Sequence, residues 1–302
     1  MKFKKEILIV GGTGFIGYHL AKRCLKDGFK VTSISASKPK KIRYLKRVKY
    51  LICDISKRNN LNILSKKKFL YVVNLGGYVD HSDKKKTYNS HYLGCKNLTN
   101  FFIKKKIQSF VQIGSSSEYG NLPSPQRENF TCKPKSIYGK AKLLATNHTI
   151  GLNKKNEFPS TVLRLYQAYG PRQDLNRFIP IIISGCLKNK KFPCSEGKQF
   201  RDFVYVDDVV EAILKCFKNK KVFGEIINIG SGKTKKIKKI IEYVKDITKK
   251  GTPLYGRIKL RKDETLKIYP DISKAKKKLK WKSKITFEAG LAKTINFYEK
   301  AQ

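Results

Sequence analysis

Ile7-Leu-Ile-Val10-Gly-Gly-Thr-Gly14-Phe-Ile-Gly17 is the stretch on which the fold turns. A short, wholly apolar run stops at a glycine cluster, and from there Phe15, Ile16, Leu20, Cys24 and Leu25 fall near one face of a helix. The spacing predicts strand, tight turn and helix. In such a turn one glycine makes the reversal, one lets backbone approach a pyrophosphate, and one allows close packing of helix on strand. The helix N-terminus meanwhile aims its unpaired N–H groups at the anion. Gly11, Gly14, Phe15, Ile16 and Gly17 are therefore expected against a dinucleotide.

Outward from this unit, strand-like runs recur at 31–34, 50–53, 70–73 and 110–113, with a long helical pattern at 87–105. Short apolar strands alternating with helices build βαβ units, whose right-handed crossovers wind a parallel sheet covered on both faces. The first half thus reads as a doubly wound α/β domain. Beyond it, helices are expected at 136–152, 178–188, 209–218, 236–249 and 287–300, and strands at 161–165, 203–206 and 226–229. Leu279 and Trp281 stand between the last helices as core anchors. We divide the chain into a cofactor-binding part, 1–170, to which the chain returns around 203–230, and a smaller α/β part, mainly 171–302, that closes on it.

Composition removes several classes of function. The 302 residues, 40% of them hydrophobic, are ample for a globular core. The 67 Lys and Arg against 22 Asp and Glu give a formal charge of +45. Only 11 are arginine, and the lysine runs at 66–68, 84–86, 104–106 and 276–278 are scattered along the chain. A nucleic-acid reader concentrates arginine in a patch or stripe, so we read a solvated lysine surface and expect no nucleic-acid partner. Seven cysteines without a C-x-x-C pair suggest neither a disulfide framework nor a metal site. No apolar stretch approaches the roughly 20 residues of a membrane span or forms a signal-peptide core, and a cytoplasmic location is expected.

The adenosine end of the cofactor is read from the second strand. It runs into Ser35-Ala-Ser-Lys38, where a carboxylate for the ribose 2′-hydroxyl would ordinarily stand. Hydroxyls with Lys38 or Arg43 nearby suit a 2′-phosphate, so NADP(H) is favoured over NAD(H) among the NAD(P)(H) forms. Asp54 and Ile55 follow the third strand where an adenine-edge acceptor is expected, and Asp54 can equally cap a helix. Leu75 and Gly76, just past the fourth strand, complete the cofactor set.

Tyr138-Gly-Lys-Ala-Lys142 places a phenol and an ammonium on one helix face, 23 residues after Ser115 at the end of the fifth strand. Ligands of open α/β sheets bind at that carboxyl edge. A neighbouring cation and a nicotinamide charge would both favour the phenolate, which is what acid–base work on a carbonyl or hydroxyl requires.

With these residues in view, the chain resembles the extended short-chain dehydrogenase/reductase family, the nucleotide-sugar epimerase/dehydratase group, along essentially its whole length. The matching segments are Gly11 to Gly17, Gly114-Ser-Ser-Ser-Glu-Tyr-Gly120, Tyr138 to Lys142, Tyr169-Gly-Pro171, Arg201-Asp-Phe-Val-Tyr-Val-Asp-Asp208 and Arg261-Lys-Asp263 before Asp271. The resemblance implies a Rossmann domain, a smaller C-terminal domain that binds a nucleoside-diphosphate sugar, and a homodimer. It implies Tyr138 as acid/base, Lys142 on the nicotinamide ribose, Ser115 on the reacting sugar oxygen, and Arg201 and Arg261 on the diphosphate. Ser116, Ser117 and Gln167 would line the sugar.

Three departures narrow the reaction. The family's 4,6-dehydratases carry Asp-Glu directly after the catalytic Ser or Thr, whereas here Ser116-Ser117 follow and Glu118 comes one position late, which argues against that activity. Gln167 and His91 each stand where the family usually has Asn, so the sugar cannot be carried over from a particular relative. A 4-ketoreductase and a 4-epimerase remain, and the missing acid after the second strand tips the expectation toward the reductase.

Overall fold

The computed structural model describes residues 5–78, 80, 82–260 and 264–301. The main sheet is built from β1 (Glu6–Val10), β2 (Lys30–Ser35), β3 (Lys49–Ile52), β4 (Tyr71–Asn74), β5 (Ser109–Ser115) and β6 (Ser160–Leu165), with β7 (Gln167–Tyr169), β8 (Lys191–Pro193) and β9 (Phe200–Tyr205) lying outside it. It is completed by β10 (Ile226–Ile229), after which come the short β11 (Thr234–Lys236), β12 (Thr252–Leu254) and β13 (Lys267–Ile268). The main sheet is parallel throughout, in the order β10-β6-β5-β4-β1-β2-β3. β1 pairs with both β2 and β4, so the chain leaves β1 in one direction and returns on its other side. The crevice at such a reversal is where an open α/β sheet binds its ligand.

Alternation along β1 explains the layers. Ile7 and Ile9 face a core shared with Leu20 and Cys24 of α1 (Phe15–Lys26), whereas Leu8 and Val10 face the opposite core. The helical stretch over that second core consists of α2 (Lys84–Tyr88), a π-helical turn Asn89–Leu93 and α3 (Gly94–Phe102), which contributes Leu98 and Phe102. The one long helix expected at 87–105 is thus present with a widened turn in its middle. α4 (Ile137–Asn156) packs beside it.

β7, β9, β11 and β13 form a second, four-stranded sheet. Its core takes Tyr169, Phe203 and Tyr205 from the strands. Ile182 and Ile183 of α5 (Phe178–Leu187) pack on them, and α6 (Val206–Lys215) runs back from β9 against α1. Ile240 and Val244 of α7 (Ile237–Thr248) and Leu291 and Ile295 of α8 (Phe287–Glu299) close this core. Trp281 is buried in the first core, where its indole N–H donates to the Asp208 carbonyl at 2.9 Å. No helix among the described residues is long and apolar enough to cross a membrane.

Candidate active site

Gly11 adopts φ +78°, and a Cβ there would stand 2.9 Å from the Leu75 carbonyl, so the glycine turn and the chain after β4 touch backbone to backbone. A Cβ on Gly17 would run into the Gly11 carbonyl oxygen, which is the close helix-on-turn packing the spacing requires. Gly14 caps α1 with no side chain bonded to the helix, and the first turn holds no acid. The first-turn N–H groups at Phe15 and Ile16 therefore face a cradle shaped for an anion, which fits a dinucleotide pyrophosphate.

The other expected cofactor residues differ in how free they are to meet a ligand. Ser35 ends β2, and its hydroxyl donates to the Ile34 carbonyl at 2.7 Å, while Lys38 is exposed on the following loop. Asp54 is occupied locally, its Oδ1 accepting from the Ser56 N–H at 3.0 Å and the Ser56 hydroxyl at 2.7 Å. Ile55 is wedged beside Gly76 and Gly94, where added Cβ atoms would meet its side chain. Arg43 is only 5% exposed, and its guanidinium forks onto Asp174 with two 3.0 Å hydrogen bonds and onto the Arg172 carbonyl at 3.3 Å. It is spent on that pair.

The expected catalytic residues meet at the ends of β5 and α4. A Cβ on Gly139 would stand 2.5 Å from the Ser117 carbonyl oxygen, so the first turn of α4 lies directly on the Ser116–Tyr119 turn. Ser115 is nearly buried, and its Oγ accepts from the Ser117 N–H at 3.1 Å. Lys142 is buried, donates to the Ile113 carbonyl at 2.8 Å, and holds its ammonium 5.9 Å from the centre of the Tyr138 ring. The His91 ring, in the π-helical turn, meets Tyr138 edge to face at 5.0 Å. The Tyr138 ring, the Lys142 ammonium and the Ser115 hydroxyl thus lie where the start of α4 packs on the end of β5.

Glu118 points away from this place. It is fully buried, with Oε1 accepting from the Ser115 N–H at 2.8 Å and Oε2 accepting from Arg164 Nε at 2.7 Å and the Thr146 hydroxyl at 2.9 Å. A carboxylate so engaged and so buried fixes the β5 turn and is shielded from any sugar beside the Ser115 hydroxyl.

On the opposite flank, Gln167 lines a cavity of about 230 Å³ with Gln173, Asn176, Arg177, Phe178 and Phe203. Arg201 lies on β9, where burial pulls its guanidinium below its usual range and Glu264, its ion-pair partner, partly offsets this. Arg261 lies outside the described residues. The segment that carries Gln173, Asn176 and Arg177 was not singled out from the sequence, because its polar residues match no spacing of their own. Among the described residues no group of three or more His, Cys, Asp or Glu could hold a metal ion.

Residues 7–230 match the model of the NAD dependent epimerase/dehydratase family. The chain belongs to that family. It is an NAD(P)-dependent enzyme with a Rossmann fold. A putative UDP-glucose 4-epimerase of Methanocaldococcus jannaschii is 28% identical over 303 residues, spanning 96% of this chain and 97% of the relative. The crystal structure of the Thermotoga maritima UDP-glucose 4-epimerase with UDP-glucose superposes with a TM-score of 0.92 at 27% identity, covering 98% and 99% of the two chains. The UDP-glucuronic acid 4-epimerase of Bacillus cereus, in complex with UDP-glucuronic acid and NAD, gives 0.89 at 25% identity, covering 98% and 100%.

Proposed function

We propose that this member of the family reduces the C4 ketone of a nucleoside-diphosphate 4-keto sugar with NADPH. The observation that carries the reading is the end of β2. Ser35-Ala-Ser-Lys38 presents hydroxyls and an exposed ammonium where a carboxylate would repel a 2′-phosphate. Since Arg43 is committed to Asp174, Lys38 with Ser35 and Ser37 remains to recognise that group.

Gly11, Gly14, Phe15, Ile16 and Gly17 would hold the pyrophosphate, Leu75 and Gly76 the wall beside it, and Lys142 the nicotinamide ribose. When bound, the dinucleotide supplies the hydride. Tyr138 then gives its phenolic proton to the sugar O4 as the carbonyl becomes a hydroxyl, and Ser115 holds that oxygen by a hydrogen bond. Lys142, fixed by the Ile113 carbonyl, keeps positive charge beside the phenolate that forms. The 230 Å³ cavity next to Gln167 takes the nucleotide part, and Arg201 takes the diphosphate, whose charge would displace Glu264.

Incubation with UDP-, CDP- and dTDP-linked 4-keto-6-deoxy sugars tests this directly. One NADPH should be oxidised per sugar reduced, with NADH a poor substitute. No cofactor oxidation with any of them would sink the reductase reading. The names of the relatives favour a second reading, a 4-epimerase of a UDP-sugar, which would interconvert C4 epimers without net consumption of cofactor.

A further inference from the structure

We propose that the Arg43–Asp174 pair makes binding at the glycine crevice and binding in the 230 Å³ cavity depend on one another, with Asp174 as the positioning residue. The inference deepens the function proposed above, since it takes the crevice for the cofactor and the cavity for the nucleotide of the substrate.

Residues 170–177 run as a strap between β7 and α5, and both elements expected to touch cofactor are hooked to it. His19, on the helix whose N-terminus faces the pyrophosphate, places Nε2 2.9 Å from the Pro171 carbonyl oxygen. Arg172 lies over the Tyr18 ring of that helix at 4.9 Å and bonds the Ile42 carbonyl. Asp174 then receives the buried fork of Arg43 and, at 2.9 Å, the Lys40 ammonium, both from the turn that follows Ser35–Lys38. Together these cations hold the Asp174 carboxyl below the usual carboxylate range, against the effect of its partial burial.

The strap is also a wall of the cavity. Gln173, Asn176 and Arg177, on either side of Asp174, line it directly. A bidentate pair resists sliding because any shift lengthens two hydrogen bonds at once. Arg43 Nε has no partner among the described residues, so Asp174 and the Arg172 carbonyl alone hold the guanidinium in place. A cofactor that fixes the Ser35–Lys38 loop therefore fixes the strap, and by linkage a nucleotide in the cavity fixes the loop.

The experiment is calorimetric titration of the full chain with UDP, alone and at saturating NADPH, and the reverse. In the unmodified protein each ligand should tighten the other by the same factor, about tenfold. In Asp174→Asn, and in Arg43→Lys, which keeps the charge but loses the fork, both ligands should still bind while that factor falls to about twofold or less. Circular dichroism checks that each variant is folded, and a purely structural pair would lower thermal stability without moving the factor. A full tenfold factor in either folded variant overturns the proposal, as does a factor of one in the unmodified protein. If UDP, CDP and dTDP all fail to bind with or without cofactor, the function reading itself falls.

Discussion

Glu118 shows how one residue's surroundings decide its role. In the sequence it stands one position from where a dehydratase needs its acid, and the structure turns it inward to Arg164, Thr146 and the Ser115 backbone. Glu118→Gln would leave Arg164 buried beside a neutral amide, and loss of one partner of a buried pair costs about 3–5 kcal/mol. Denaturant unfolding should register that loss. Activity at low temperature should largely survive, because the proposed chemistry gives the carboxylate no step. Arg43 carries the opposite lesson. From sequence it is a cation near the ribose loop, but the carboxylate that claims it lies 131 residues away, and no local pattern announces such a partner.

At the scale of elements, periodicity located most of what positions the site. α1, α5, α7 and α8 lie within a residue or two of where apolar spacing puts them, because each lays one face on a core. The π-helical turn that holds His91 was not legible, since one widened turn leaves the apolar pattern on both sides intact. β9 begins at Phe200, ahead of the expected 203, because its polar Arg201 and Asp202 are drawn in by pairing with β11. The glycine turn makes a sharp prediction. Gly17→Ala would push a methyl into the Gly11 carbonyl, so cofactor affinity by fluorescence titration should fall at least about tenfold while β1 and α1 stay folded by circular dichroism.

Asp202 ties β9 to the next loop by accepting from the Ser231 N–H at 2.7 Å, the Ser231 hydroxyl at 3.0 Å and the Lys233 N–H at 3.1 Å. Burial nevertheless pushes its carboxyl up to about 6, because the hydrogen bonds only partly offset desolvation. The folded state thus keeps this proton to a higher pH than the unfolded chain does. Its contribution to stability is present below about pH 4 and is lost as pH rises through about 6. Unfolding free energies of the protein minus those of Asp202→Asn should decline by about 3 kcal/mol over that window. A flat difference would show that the carboxyl titrates as it does in an unfolded chain.

For the whole molecule the dominant fact is the charge of +45. Arg43, Arg164 and Arg201 are buried in ion pairs with Asp174, Glu118 and Glu264, while most of the lysines lie at the surface. Binding to duplex DNA should be weak, without sequence preference and steeply reduced by salt, and added salt should raise thermal stability by screening self-repulsion. Sequence-selective binding at physiological ionic strength would refute this view of the surface.

The proposed roles of Ser115, Tyr138 and Lys142 at a sugar C4 are tested most directly by turnover of a 4-keto nucleotide sugar with Tyr138→Phe beside the unmodified protein. The substitution keeps the ring against His91 and removes the transferable proton. Sugar-nucleotide affinity should be retained and turnover should fall by about 10²–10⁴-fold. Turnover equal to that of the unmodified protein would contradict Tyr138 as the proton donor.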